Sequence, residues 1–491
     1  MTQPEPTAAS TRLRPRDRDA VVSSLRAGVV PCTGFQHIQV GRAGEVAAVS
    51  RDLERVADGG SLVRFVIGEY GAGKTFFLSL VASIAAEKKL VTVRADLNPD
   101  RRLQSSSGQA RSLYAELMRN LATRAQPDGG ALAAVVERFV TSARTEAGPD
   151  GDPAAVIGAR LAKLSEMTGG YDFAHVVGQY WRGYDTGNDQ LRTDAVRWLR
   201  AEYTTKTDAR AALGVRTIID DSSFYDSLKL LAVFVRLAGF SGLLVCLDEC
   251  VNLYKLAHTQ SRNANYEQIL RIVNDCLQGQ ATGLGVLFGG TPEFLMDGRR
   301  GLYSYDALRS RLAENSFAVG GLVDLSSPVL RLANLTPEDL YVLLGKLRHV
   351  FAGGEPVAYL LPDAAIEQFM RHCASRVGDA YFRTPRTTIR EFLNLLSVLE
   401  QNPGQDWRVL LGGITLEPER NPDLEPLPDE TAAEPTSAAP VTTAPETGVS
   451  AFSGPAVASG ASGASGADTF LAPGPPLDTP EFDDDLTDFR L

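Results

Sequence analysis

One short segment constrains the fold more than any other: "RFVIGEYGAGKTFFLSL", residues 64–80. A β-rich run leads into a glycine-rich loop at residues 68–75, which is followed by an apolar stretch without turn residues. The loop fits the pattern G-x-x-x-x-G-K-[ST] between a predicted strand and a predicted helix, the context that a phosphate-binding loop requires. Glycines let the backbone curl so that its N–H groups point at a phosphate, and the helix amino terminus adds positive potential. We therefore predict a triphosphate site here.

The polar side chains of this loop predict how ATP is held. Lys74 is expected to reach the β- and γ-phosphates, and the Thr75 hydroxyl to ligate Mg²⁺. A second pattern, "LLVCLDE", ends an apolar strand in two acids. Asp248 is the predicted second residue of the Mg²⁺ site, and Glu249 is predicted to accept a proton from the attacking water. The acids alone are weak evidence, but together with the loop they favour hydrolysis over nucleotide storage.

Two further candidates follow the strand in "LGVLFGGTPEF". Thr291 lies at the predicted strand tip, where it could position water or sense the γ-phosphate, although Gly-Gly-Thr-Pro is also good turn chemistry. Downstream, Arg309 and Arg311 lie in a predicted helix. Arg311 is the preferred candidate for reaching a phosphate site in a neighbouring subunit. It could equally be an exposed helix charge.

Residues distant in sequence complete the predicted site. Arg386 precedes or begins an apolar helix, and its guanidinium could fold back over the nucleotide, with Arg383 and Arg390 as competing choices. Gly41 and Arg42 precede a predicted helix and form either an ordinary helix-start turn or a wall beside the adenine. The predicted nucleotide-binding residues are Gly41, Arg42, Gly68, Glu69, Tyr70, Gly71, Ala72, Gly73, Lys74, Thr75, Phe76 and Arg386.

The net charge of -11 is unevenly distributed along the 491 residues. From Asn421 onward there are thirteen acidic residues and one arginine, whereas the preceding 420 residues carry 48 basic and 47 acidic residues. The acidic tail is rich in Pro, Ala, Ser, Gly and Thr and is predicted to be disordered. Its final "TPEFDDDLTDFRL" is either a solvated terminus or a short motif that docks on a partner. The neutral body neither predicts nor excludes a nucleic-acid groove.

Cysteine usage and the amino terminus bear on the compartment. Five cysteines occur without a CxxC pair, so neither a disulfide framework nor a zinc site is predicted. The first residues show no signal peptide, and the longest apolar region is interrupted by Arg236 and two glycines, so no membrane span is predicted. A cytoplasmic location is the simplest expectation.

The order of helical and β-rich segments predicts an α/β fold with a parallel sheet. Short β-rich runs occur at 62–67, 91–95, 243–247 and 284–288, and the pattern after Asp324 is read as purely helical. Thr336 is predicted to cap a helix with Pro337 and Asp339 behind it. The predicted domains are an amino-terminal segment 1–40, an ATPase domain 41–325 with a helical insertion at about 98–219, a helical lid 326–410 and the tail 411–491.

Taken in order, the motifs "VGRAGEV", "GEYGAGKT", "LLVCLDE", "GGTPEF", "ALRSRL" and "RTPR" resemble an AAA+ type P-loop ATPase of the origin-recognition and STAND-like branch. Longer stretches such as "CLDECVNLY" and "RRGLYSYDALRSRL" look more narrowly like BrxD-like ATP-binding proteins of the bacterial BREX phage-defence system. The similarity runs from about residue 29 to residue 399. It implies a five-stranded parallel sheet, a helical lid, and Thr291, Arg311 and Arg386 as first sensor, finger and second sensor.

The resemblance also implies partners. We expect a Mg²⁺-dependent ATPase that forms a homo-oligomer and remodels or loads a partner, a helicase or another defence protein, on DNA. DNA contact would be direct or through that partner, because no winged-helix domain follows the lid. The insertion is also much longer than in a minimal AAA+ core. The alternative is a nucleotide-gated switch or scaffold with little turnover.

Overall fold

In the computed structural model of the protein, a parallel sheet forms the centre of the chain. Its five strands are β1 Leu62–Ile67, β2 Leu90–Asp96, β3 Gly242–Asp248, β4 Leu284–Gly290 and β5 Val329–Arg331. They lie in the order β2-β3-β4-β1-β5, and every pairing is parallel. The expected five-stranded parallel sheet is confirmed. Because parallel strands end at the same edge, the loops after β1, β3 and β4 meet there.

The structure describes residues 13–318, 322–377 and 385–412, all of which belong to one compact unit, residues 1–432. Arg383 and the predicted tail from residue 413 lie outside the described residues. None of the described helices combines the length and the apolar content that a membrane crossing requires.

Helices surround the sheet and extend beyond it. In the described residues they are α1 Pro15–Arg26, α2 Phe35–Ile38, α3 Ala43–Ala57, α4 Lys74–Glu87, α5 Gln109–Arg119, α6 Leu132–Ala147, α7 Pro153–Ser165, α8 Gly170–Thr186, α9 Asp189–Leu199, α10 Lys206–Leu213, α11 Phe224–Leu237, α12 Val251–Tyr254, α13 Thr259–Leu277, α14 Pro292–Met296, α15 Asp306–Leu312, α16 Pro337–Phe351, α17 Asp363–Val377, α18 Pro385–Gln401 and α19 Trp407–Gly412.

The two faces of the sheet bury different sets of helices. Phe65, Val93 and Val245 point to one face, where they join a large apolar core with residues of α5, α11 and α13. Val66 and Leu244 point to the other face and pack with residues of α3 and α4. Both faces are therefore covered, which explains why the residues of β1, β3 and β4 are buried along the whole of each strand.

Helices α5 to α10 occupy the chain between β2 and α11, and several begin at side-chain caps. Asp152 and Asn188 accept hydrogen bonds from the backbone N–H groups of Ala154 and Leu191, which satisfies donors that a helix start leaves unpaired. Many of their buried residues, such as Phe173 and Trp198, belong to the same core as one face of the sheet. The limits of this region as a separate insertion stay a prediction.

The carboxyl-terminal helices form a third apolar cluster together with α1. Leu344, Phe369 and Phe392 are buried there with Val21 of α1. The predicted cap of α16 is confirmed, since Thr336 and Asp339 form a reciprocal capping box with Pro337 in the first turn. The lid as a functional unit stays a prediction.

The reading of the chain after Asp324 as purely helical is wrong. Strand β5 pairs with β1 through Phe65↔Val329 and Ile67↔Arg331, and it forms the edge of the sheet. Three residues are too few to show the alternation that identifies a strand, so its pairing with β1 decides its conformation. The sheet thus extends past residue 326, the predicted start of the lid.

Candidate nucleotide-binding site

The glycine-rich loop connects β1 to α4 through left-handed backbone. Gly71 has φ +83° and Gly73 has φ +80°, conformations that glycine adopts without strain. Gly73 is the residue that precedes α4, and Lys74 is the first residue of that helix. A Cβ at Gly68 would lie 2.9 Å from the Leu332 carbonyl oxygen, so a side chain there would collide with the backbone after β5. The loop therefore holds a curled backbone at a helix amino terminus, where anions are stabilised.

The Lys74 ammonium group folds back over this loop. Its Nζ donates hydrogen bonds to the carbonyl oxygens of Gly68 at 2.9 Å and Glu69 at 3.0 Å. The positive charge therefore lies against the loop backbone where phosphate oxygens are predicted to bind.

Thr75 and Asp248 are brought into contact from different elements. The Thr75 hydroxyl donates to Asp248 Oδ2 at 2.6 Å, which joins the first turn of α4 to the end of β3. Asp248 is buried, and its Oδ1 accepts a hydrogen bond from the Glu249 N–H at 2.8 Å. A hydroxyl and a carboxylate in contact are hard oxygen donors of the kind that Mg²⁺ takes together with nucleotide phosphates. These two residues fit the predicted metal site.

The backbone turns sharply directly after Asp248. Glu249 has φ +55°, which is uncommon for a residue other than glycine and costs free energy of the order of 1 kcal/mol or more. The turn separates the two acids, so that Asp248 stays in the buried strand end while Glu249 leaves the strand direction. The two neighbouring acids, Asp248 and Glu249, are therefore suited to two different roles.

Asp96 is a third acid at this edge, and sequence reasoning missed it. β2 pairs with β3 in a register that places Asp96 opposite Asp248, and both line a cavity of about 260 Å³ with Thr75. Burial of the carboxyl group, followed by repulsion from Asp248, raises the pKa of Asp96 above its usual value. The sequence contained a pattern that could have identified Asp96, because "VTVRAD" ends a β-rich run in an acid just as "LLVCLD" does.

Thr291 follows β4 and is buried. Its side chain accepts a hydrogen bond from the Phe294 N–H at 3.4 Å and caps α14, with Pro292 in the first turn. Because β4 lies between β3 and β1, Thr291 is at the same sheet edge as the loop and the two acids. The turn chemistry is thus present, and the sensor role stays a prediction.

Arg42 contacts the backbone of the loop. Its Nη2 donates to the carbonyl oxygens of Ala72 at 2.5 Å and Ala333 at 2.9 Å, and burial lowers the pKa of its guanidinium. Gly41, with φ +62°, lies close to Asp339 of α16. These contacts join the loop to the segment between β5 and α16. A role of Gly41 and Arg42 beside the adenine stays a prediction.

Glu69 of the loop and Phe76 in the first turn of α4 contact distant parts of the chain. Glu69 Oε2 accepts a hydrogen bond from the Asn334 side-chain amide at 3.0 Å, a contact that the sequence did not indicate. The Phe76 ring packs edge-on against Phe35, with ring centroids 5.6 Å apart. The loop is therefore held from both the amino-terminal helices and the segment before α16.

The predicted arginines lie in different surroundings. Arg386, in the first turn of α18, places Nη1 3.5 Å from the Tyr70 hydroxyl, whereas Arg390 forms an ion pair with its neighbour Glu391. Arg311 is exposed on α15, and its hydrogen bonds go to Asn274 Oδ1 and the Ala307 carbonyl oxygen. Arg386 is thus brought to the loop of its own chain, and Arg311 is not.

Comparison with known proteins places this arrangement in a family. A family model described as BREX system ATP-binding protein BrxC/D matches residues 13–414. No curated protein matches the chain. The matched region contains every residue of the candidate site, from Gly41 to Arg386.

Proposed function

Because the chain belongs to the family of BREX system ATP-binding proteins BrxC/D and so has an ATP-binding role in phage defence, we propose that it hydrolyses ATP with Mg²⁺. Its hydrolysis would drive the remodelling or loading of a partner, a helicase, on DNA. The single observation that carries this proposal is the 2.6 Å hydrogen bond between Thr75 and Asp248 directly before Glu249. It supports a metal site with a second acid beside it.

Each residue has a distinct task in the proposed reaction. Lys74 and the loop backbone bind and orient the phosphates, and Thr75 and Asp248 hold the cation. A bound Mg²⁺ would supply positive charge that stabilises the phosphates during the reaction. Glu249 takes a proton from the attacking water. The turn at φ +55° makes its backbone leave the strand direction, so that Glu249 and the buried Asp248 can have different roles.

Two substitutions test the hydrolysis. Glu249→Gln should retain ATP binding and lower turnover by about 10²–10⁴-fold, the usual contribution of a positioned acid or base. Lys74→Ala should lose both binding and turnover. Calorimetry measures binding, and release of inorganic phosphate measures turnover. Glu367→Gln, on an exposed glutamate of α17, is the matched control and should change neither. A Glu249→Gln variant with undiminished turnover would remove Glu249 from the reaction.

Partner dependence separates a motor or loader from a nucleotide-gated switch. Turnover should be measured alone, with single- or double-stranded DNA, and with a helicase of the same defence system. Strong stimulation by DNA or helicase supports the proposed loader. A slow rate that responds to neither contradicts it and favours the switch.

A further inference from the structure

A large cleft lies on the α4 side of the sheet, next to the candidate ATP site but separate from its loop. It has a volume of about 820 Å³, within the range of small-molecule sites. The start of α1, the segment 32–37, one face of α4, the middle of β2 and the loop 122–127 line it. Nothing in the proposed ATPase reaction uses this cleft.

Arg94 is the residue that makes the cleft unusual. It lies inside β2, a strand whose other residues from Leu90 to Ala95 are buried, and its register partner on β3 is the buried Cys246. Its Nη1 donates to Ser79 Oγ at 3.2 Å. Among the described residues, no carboxylate lies within 4 Å of its guanidinium. A half-buried guanidinium whose one hydrogen-bond partner in the described part of the chain is a hydroxyl keeps further N–H donors for an anion from outside the chain.

Both acidic and basic residues line the cleft around Arg94, and their ion pairs decide which charges can bind a ligand. Arg14 and Arg124 also line the cleft, as do Asp17 and Glu87. Glu87 is paired with Arg124 at 3.1 Å on the exposed rim. Asp96, two residues along β2, interacts electrostatically with Arg94 but points toward the cavity beside Asp248. Arg94 is therefore half-buried and positively charged, and no acid among the described residues forms an ion pair with it.

Neighbouring polar groups match an oxygen-rich ligand. Thr33 Oγ1 is buried, lines the cleft and makes no hydrogen bond with the described residues. Two histidines, His37 and His349, also line the cleft, and burial lowers the pKa of His37. An arginine beside hydroxyl donors is the combination that binds phosphate, because the guanidinium forms charge-assisted hydrogen bonds to its oxygens.

We propose that this cleft is a second ligand site, distinct from the ATP loop, which takes a phosphate-bearing molecule of about nucleotide size with Arg94 as its principal anion contact. Ser79, Arg94 and Pro127 also line the 260 Å³ cavity that contains Thr75 and Asp248. A ligand in the cleft would therefore lie one side chain away from the predicted metal site. The proposal does not depend on ATP hydrolysis.

The test uses the full chain with Lys74→Ala, so that binding at the ATP loop does not contribute. The probes are the dinucleotide pTpT and inorganic pyrophosphate, titrated by calorimetry at low salt. Arg94→Gln should weaken binding about tenfold or more, equivalent to about 1.4 kcal/mol, as expected for loss of a charged hydrogen bond. Thr33→Val should weaken it less. Arg371→Gln, on an exposed arginine of α17 paired with Glu367, is the matched control and should bind like its parent.

The outcomes distinguish the source of the phosphate. Preference for pTpT that is lost in Arg94→Gln supports a nucleotide ligand, and equal binding of pyrophosphate supports the same phosphate site with a free polyphosphate as ligand. Arg94→Lys, which keeps the charge, should retain part of the affinity and shows that a loss in Arg94→Gln is not unfolding. Absence of binding by both probes, or undiminished binding by Arg94→Gln, would overturn the proposal.

Discussion

At the scale of single residues, the predicted metal site depends on Gly289, because the space beside Asp248 leaves no room for a side chain there. A Cβ at Gly289 of β4 would lie 2.4 Å from Asp248 Oδ1 and 2.9 Å from Leu78 Cδ1. The Asp248 carboxylate, which accepts the hydrogen bond from Thr75, would therefore have to move if residue 289 carried a side chain. The sequence "FGGTPEF" indicated a turn at this point but not this close approach, because the approach depends on the register of β3 and β4.

We predict that Gly289→Ala weakens Mg²⁺-nucleotide binding by at least about tenfold, equivalent to about 1.4 kcal/mol. The added methyl group displaces the Asp248 carboxylate, so nucleotide affinity should become less dependent on magnesium. Calorimetry with and without Mg²⁺ measures this difference. Gly345→Ala, in the interior of α16 with open space around the new Cβ, is the control and should stabilise the fold slightly without altering binding. Equal magnesium dependence in Gly289→Ala and the wild type would contradict the prediction.

At the scale of elements, a buried ion pair joins helix α3 to the central sheet. Arg64 of β1 donates from Nε to Asp52 Oδ2 at 2.7 Å, and both side chains are buried. Arg55, one turn after Asp52 on α3, donates to Oδ1, the other oxygen of the Asp52 carboxylate. Arg64 also donates to the Ser327 carbonyl oxygen just before β5. The pair thus connects two consecutive elements, α3 and β1, to the segment before β5, which is distant in sequence.

Removing only Arg64 from this ion pair should destabilise the fold. Arg64→Met leaves the Asp52 carboxylate buried with one partner fewer, and we expect it to lower the free energy of unfolding by about 3–5 kcal/mol. The double variant Asp52→Leu with Arg64→Met should recover much of this loss, because neither charge then remains buried. Urea denaturation measures both, with Arg371→Met on the exposed surface of α17 as a control near zero. Equal stability of the single and double variants would show that the buried charge is not the cause.

The same elements show how far the sequence could predict the structure. The loop at 68–75, the acids at the end of β3 and the capping box of α16 were predictable, since each is a local pattern with a local physical cause. Strand β5 was not, because a three-residue strand has no periodicity of its own and forms only beside β1. Arg64 and Arg94 are charges inside predicted strands, and their side-chain partners Asp52 and Ser79 can be identified only after the packing of α3 and α4 on the sheet is known.

At the scale of the whole molecule, both ends of the described chain meet at the carboxyl-terminal helices. Arg18 of α1 donates to the Phe351 carbonyl oxygen at 2.8 Å and pairs with Glu400 of α18 at 3.2 Å. The nucleotide loop in turn contacts Arg42 on one side and Asn334 on the other. Segments separated by hundreds of residues therefore hold the loop, and no local pattern could have predicted these contacts.

Assembly is the last property to test, and Arg311 is the residue that we predict to take part in it. Its guanidinium is exposed, and within the described residues its hydrogen bonds go to Asn274 and Ala307, not to the loop of its own chain. If it reaches the phosphates of a neighbouring copy, ATP should promote assembly of the wild type, and Arg311→Ala should lose both assembly and much of its turnover. Light scattering with and without ATP measures assembly, and Arg371→Ala serves as the control. An Arg311→Ala variant that assembles and hydrolyses ATP normally would exclude a role for this arginine in a neighbouring site.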